Sequence, residues 1–310
     1  MMHIKGFRQL FESSDKLTQE QIAWLDECTL GNWTFNEETG EVDVRGNFNC
    51  QGQELTDFKG VRFGHVAGFF KCSFNKLSSL DGAPRRVDGY FECQKNHLTS
   101  LEGLPEGAEM GDFNCRYNWL TTLKGAPQKV NMDFDCAGNQ LTSLEYAPQE
   151  VGSGFNCHGN NITSLKGAPQ ILRGSFICFS NRLTSLEGAP KKVGGDFNCF
   201  NNKITSLKGA PQEVGWNFDC SSNDIVSLEG APRRIVNDVV AIGNPISKEV
   251  LRFILTQIGT RGKTLGYAVS ECWRMMDEKD KIYLAKENPD LDPEEKRGYE
   301  ALIRHMNRVV

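Results

Sequence analysis

The chain has 310 residues, of which 39% are hydrophobic and 24% charged, and it carries a formal net charge of -5. That is an ordinary composition for a folded, water-compatible chain, and its negative balance gives no reason to expect nucleic acid as a partner. No apolar run approaches the ~18 residues of a membrane span. The first residues also lack the basic, apolar and small-residue order of a secretory signal, so the expected setting is the cytoplasm, with no membrane partner.

Residues 1–45 read as an arm and a cap. Thr18-Gln-Glu-Gln21 has the spacing of a capping box and opens a short amphipathic helix carrying Ile22, Leu25 and Cys28, stopped near Gly31. Trp33, Phe35, Val42 and Val44 then read as strands leading into the next region.

From 46 to 246 the chain repeats itself. Cys50, Cys72, Cys93, Cys115, Cys136, Cys157, Cys178, Cys199 and Cys220 recur at steps of 21 or 22 residues, each inside the same phrase. A fixed period in this range signals a solenoid, whose units cannot bury their apolar face alone and must stack. Phe-x-Cys alternates as a short strand does, so Phe197 and Cys199 face a core and Asn198 faces out; stacked in register, such strands form one parallel sheet. Three residues after each of these cysteines from Cys72 to Cys220 stands an asparagine, from Asn75 to Asn223, whose amide can bond turn groups that would otherwise be buried unpaired. Ile204 and Leu207, with their equivalents, close the core on the other side, and Gly-Ala-Pro turns the chain. Val193 lies four residues before Phe197 with Gly-Gly between, a spacing that predicts a bulge or a second short strand. Val239 to Ile246 makes a tenth unit in which Ala241 takes the cysteine place. Nine cysteines in one column, without a Cys-x-x-Cys spacing, read as buried thiols and not as disulfides or zinc ligands, so no metal or cofactor is expected.

Other columns vary. Glu102, Lys124, Glu145, Lys166, Glu187, Lys208 and Glu229 alternate in sign from unit to unit, a pattern that reads as register and solubility. The residue after each cysteine runs Gln51, Ser73, Gln94, Arg116, Ala137, His158, Phe179, Phe200, Ser221. Phe179 and Phe200, beside Ile177 and His158, make an outward apolar patch that core packing does not require. Aromatic and arginine side chains are favoured hot spots, so Arg116, His158, Ile177, Phe179 and Phe200 are the candidate partner-binding residues. Asp112, Asp133, Asp135, Asp196, Asp219 and Asp238 flank them, either keeping a sheet face soluble or suiting a basic protein partner.

The order apolar-x-Cys-x-x-Asn-x-Leu-x-x-Leu resembles the leucine-rich repeat in a short bacterial style. The resemblance implies a β-rich solenoid whose strand face binds another protein. Leu-Thr-Ser-Leu-Glu-Gly-Ala-Pro with Phe-Asn-Cys is similar to a repeat of large tailed bacteriophages, and Ile4 to Ser14 resembles the capsid-targeting leader of T4-like phages, which implies cleavage after Leu10-Phe11-Glu12.

Residues 247–310 lose the period and read as helices, a C-terminal cap or small domain opened by Ser247. Gly259-Thr-Arg-Gly-Lys-Thr264 looks like the end of a phosphate loop, but Gln257 stands where the first glycine belongs and no buried strand precedes it. Cys272 lies on an apolar stripe beside Trp273, which favours burial over a nucleophilic role; the bacterial leucine-rich-repeat ubiquitin ligases, which the repeats loosely resemble, carry a much larger catalytic domain. The expectation is a non-enzymatic interaction module, a phage protein that binds and inhibits or redirects a host protein through the strand face. The alternatives are an internal head protein of a phage and an enzyme acting through the helical tail.

Overall fold

The structure, a computed structural model, describes residues 17–226, 230–241 and 243–245. Within them a helix α1 (Gln19–Cys28) leads directly into β1 (Thr29–Asn36), which pairs antiparallel with β2 (Glu41–Asn49). Thr18 and Gln21 close a reciprocal box, each side chain accepting the other's backbone N–H, at 3.2 and 2.8 Å. The helix lays Trp24 edge-on against Phe48 at 5.3 Å and seats its indole N–H on Gln53 at 2.8 Å. The apolar end of the first coil is thereby covered.

From β2 onward each unit is one coil carrying two short strands. The first holds the Phe-x pair, and these pair in parallel and in register from Phe48 through Phe70, Phe91, Phe113, Phe134, Phe155, Phe176, Phe197 and Phe218 to Val239. Their rings form a continuous stack through the core with centroids 5.1 to 5.7 Å apart. Offset stacking at this distance adds attraction to burial, and the strand spacing of ~4.8 Å delivers each ring to the next.

The second strand is the one the Val193 spacing anticipated. In the early coils it is joined to the first by a register shift, as between Val87 and Tyr90. From Ile171–Leu172 to Arg234–Ile235 it is a separate four-stranded parallel sheet. The glycines between the two strands bring the main chains together: a Cβ on Gly194 would collide with the Arg173 carbonyl oxygen. No side chain fits there.

The polar interior is a ladder of asparagines. Asn160 Nδ2 donates to the Cys157 carbonyl of its own coil and the Cys136 carbonyl of the preceding one, both at 3.1 Å, while its Oδ1 accepts the Leu141 N–H at 3.0 Å. The same three bonds recur up to Asn244, which binds the Cys220 and Ala241 carbonyls and the Ile225 N–H. Buried N–H and carbonyl groups that the turn leaves without main-chain partners are satisfied this way. The cysteines fill the remaining space: ten of them are buried among the described residues, and burial pushes the column thiols from Cys50 to Cys199 up. The expected leader cleavage after Glu12 and the C-terminal helices with Cys272 lie outside the described residues.

Candidate functional site

The outward positions are set by the chain before the side chains are considered. The residue preceding each cysteine is most often Asn or Asp, and its side-chain oxygen accepts the N–H two residues on. The distances are 3.3 Å from Asn156 to His158, 3.0 Å from Asn198 to Phe200 and 3.0 Å from Asp135 to Ala137. This local bond is the turn habit of a short polar side chain, and it fixes the backbone on which the variable residue stands.

Three of the candidate residues meet on adjacent coils. The His158 ring lies face to face with Phe179, centroids 4.3 Å apart and planes 13° from parallel. Phe179 meets Phe200 at 6.4 Å with the rings tilted by 54°. Ile177 stands beside them, in register with Asn156 and Asn198, and is half-buried where its neighbours are polar. His158 and Phe179 are likewise half-buried, and Phe200 at the end of the row is 38% exposed. Nothing in the core touches this row by necessity, since Ser221 and Ala137 occupy the same column elsewhere and are buried.

Arg116 is set apart from that row, two coils toward the N-terminus. Its guanidinium is 4.0 Å from Asp135 and 5.7 Å from the Tyr117 ring. Asp135 links the two regions: burial raises its carboxyl, against the Ala137 N–H, Arg116 and His158, which favour its charge. Burial pushes the His158 imidazole down, with Asp135 opposing and Arg116 assisting, so the ring stacks as the neutral form near pH ~7. Its Nδ1 lies 2.8 Å from Asn156 Oδ1.

The aspartates have structural work. Asp112 accepts the Asp133 N–H at 2.9 Å, Asp133 accepts the Gly154 N–H at 2.6 Å, and Asp196 accepts both the backbone and side-chain N–H of Asn217. Asp219 accepts the Ser221 N–H and hydroxyl. Asp112, Asp133 and Asp196 thus serve amides at the kink between the two strands, and Asp219 serves one in the turn after the strand. In the alternating charge column Lys124 closes on Glu102 at 2.7 Å.

Sequence reasoning missed two further surface groups. Phe69 and Tyr90 stack at 5.0 Å on the strand face, with Lys71 Nζ 5.1 and 5.0 Å from their centroids. Phe74, Tyr117 and Trp119 project from the turn after the strand, about half exposed. The signal was present: Phe74, Lys95 and Tyr117 stand where other units carry Gly, Ser or Asn.

Among the described residues no group of three or more His, Cys, Asp or Glu side chains is placed to hold a metal ion, and no helix is long and apolar enough to cross a membrane. No protein-family model matches the chain, and no curated protein matches it significantly. Among solved structures it is similar to YopM from Yersinia enterocolitica WA-314, at 17% sequence identity and a TM-score of 0.41, over 64% of this chain and 56% of that one. The chain thus spans a little over half of YopM's length, a likeness too distant to bear on partner or activity. What stands on the chain's own stacked ladders is the architecture, a β-rich, leucine-rich-repeat-like solenoid.

Proposed function

We propose that the chain is a non-enzymatic protein-binding module of a tailed bacteriophage, which captures a host protein in the cytoplasm through its strand face and so inhibits or redirects it. The observation that carries the reading is the row His158, Phe179 and Phe200, stacked on three adjacent coils at a column the core does not need. A rigid scaffold presenting preformed aromatic area loses little conformational freedom on binding, which favours recognition of another folded surface. The phage and host assignments are supported by the Leu-Thr-Ser-Leu-Glu-Gly-Ala-Pro and Phe-Asn-Cys phrases.

The test is capture from bacterial host lysate by the full chain and by Phe179→Ser/Phe200→Ser. Serine is already accepted in this column at Ser73 and Ser221, so the fold is expected to persist. The double variant is expected to lose the captured partner; undiminished capture refutes the assignment of these residues.

A further inference from the structure

The residue two positions after each repeat cysteine, or after Ala241 in the tenth unit, is left-handed in every described coil. Glycine or a small polar residue fills it at Gly52, Gly138, Gly159, Ser180, Asn201, Ser222 and Gly243, with φ between 51° and 75°. Three consecutive coils depart from that rule with Phe74, Lys95 and Tyr117, at φ of 56°, 56° and 53°. Bulky residues are uncommon in this region because Cβ crowds the backbone, and strain of this kind concentrates where the surface has a task. The task is not packing, since Phe74 is 45% and Tyr117 50% exposed.

The side chains are nonetheless held in place. Lys95 Nζ sits 4.6 Å from the Phe74 centroid and 6.0 Å from that of Tyr117. The Tyr117 ring lies over Gly138, where a Cβ would come within 2.5 Å of its Cδ1. Trp119, 51% exposed, stacks on His97 at 4.4 Å with planes 5° apart, and Arg116 flanks the group. Beside the cluster Ser73 Oγ and Gln94 Oε1 are buried without a hydrogen-bond partner among the described residues.

The charge is local and cationic on a chain of net -5. Lys76 on the same turn is held by Glu54, whereas Lys95 meets no carboxylate among the described residues and Arg116 reaches Asp135 only at 4.0 Å. A cation clamped over an aromatic face offers one point for a carboxylate, and the surrounding rings offer area for an apolar side chain. Two cations are too few to track a phosphate backbone, which draws its affinity from many such contacts.

We infer that Phe74, Lys95, Tyr117, His97, Trp119 and Arg116 form a second docking site, which takes an acidic protein segment bearing an apolar anchor. This rests on the reading of the chain as a protein-binding module, but on different residues. The test is selection of a phage-displayed library of random peptides, each about a dozen residues long, on the immobilised full chain, run in parallel on Phe74→Gly/Tyr117→Gly, Lys95→Glu and Phe179→Ser/Phe200→Ser. Glycine relieves the left-handed positions, so the first variant is expected to unfold at or above the wild-type temperature.

Peptides combining Asp or Glu with an aromatic or aliphatic residue are expected to be enriched, with enrichment falling roughly tenfold or more on the first variant, which removes apolar area, and on the second, which removes a charge-assisted contact. Absence of enrichment, enrichment of basic peptides, or acidic enrichment that survives both variants overturns the inference. Enrichment lost only on Phe179→Ser/Phe200→Ser overturns it while leaving the first binding row standing. Binding of a labelled poly-thymidine oligonucleotide that is abolished by Lys95→Glu, without peptide enrichment, overturns it in favour of a nucleic-acid site.

Discussion

Replacing Asn160 by Ala isolates what one rung of the asparagine ladder contributes. Its Oδ1 is the acceptor for the buried Leu141 N–H at 3.0 Å, and the alanine variant leaves that N–H without a partner. An orphaned buried donor costs about 1–3 kcal/mol. Its Nδ2 also binds the Cys136 and Cys157 carbonyls, but these keep Asn139 and Asn181 at 3.0 and 3.1 Å, so each lost bond there weighs only about 0.5–1 kcal/mol. The total is about 3 kcal/mol, placed on the seam between the Cys136 and Cys157 coils. With a urea dependence of about 2 kcal/mol/M, the unfolding midpoint should fall by about 1.5 M. Hydrogen exchange should show Leu141 and the amides across that seam losing protection before the rest, because a coil touches only its neighbours. Asn161→Ala, one residue on, removes a side chain with no hydrogen bond among the described residues and should stay within about 0.5 kcal/mol. A shift below about 0.3 M for Asn160→Ala, with Leu141 still protected, would refute the ladder as a source of stability.

Two pH dependences follow from burial. The eight column thiols from Cys50 to Cys199 are pushed up in the folded state, so their contribution is complete below the unfolded thiol value near pH ~8.5 and is lost as pH rises above it, by about 1.4 kcal/mol per thiol per unit. Urea midpoints should therefore fall steeply above pH ~9. Cys157→Ala/Cys178→Ala should flatten that slope by about a quarter, and an unchanged slope excludes the thiols as its cause. His158 is pushed down by burial, so its contribution is present above the unfolded histidine value and is lost as pH falls through its folded one. Phe179→Ser wets the ring, and an NMR titration should find its midpoint moved up toward ~6.5; no movement means Phe179 does not shield it.

The architecture was legible because one solution is repeated. Phe197, Cys199, Asn202, Ile204 and Leu207 each have an equivalent in the next coil that meets the same need, so periodicity alone identifies what is inside. The second strand was legible only as an irregular spacing before Phe197, since the close approach at Gly194 depends on where the Arg173 carbonyl of the preceding coil lies. The bonds of the aspartates are hidden in the sequence for a related reason: only the stacking places the Gly154 N–H of the next coil 2.6 Å from Asp133. Single-sequence columns show which residues vary, but not which unpaired amide a side chain faces.

That distinction separates the two kinds of variation on this surface. At the residue before the cysteine, Asn or Asp meets a backbone requirement in most coils, and Lys71, Glu92 and Ile177 depart from it. At the residue after it, and at the left-handed position beyond, the fold accepts Ser221, Ala137 or Gly159 without penalty. The large side chains His158, Phe179 and Phe200, and likewise Phe74 and Tyr117, are therefore not there for the solenoid. Because each coil is already closed by its neighbours' carbonyls and asparagines, such residues can be added to one coil without disturbing the next. An interaction surface can thus be distributed along the stack, one coil at a time, on a core that stays the same.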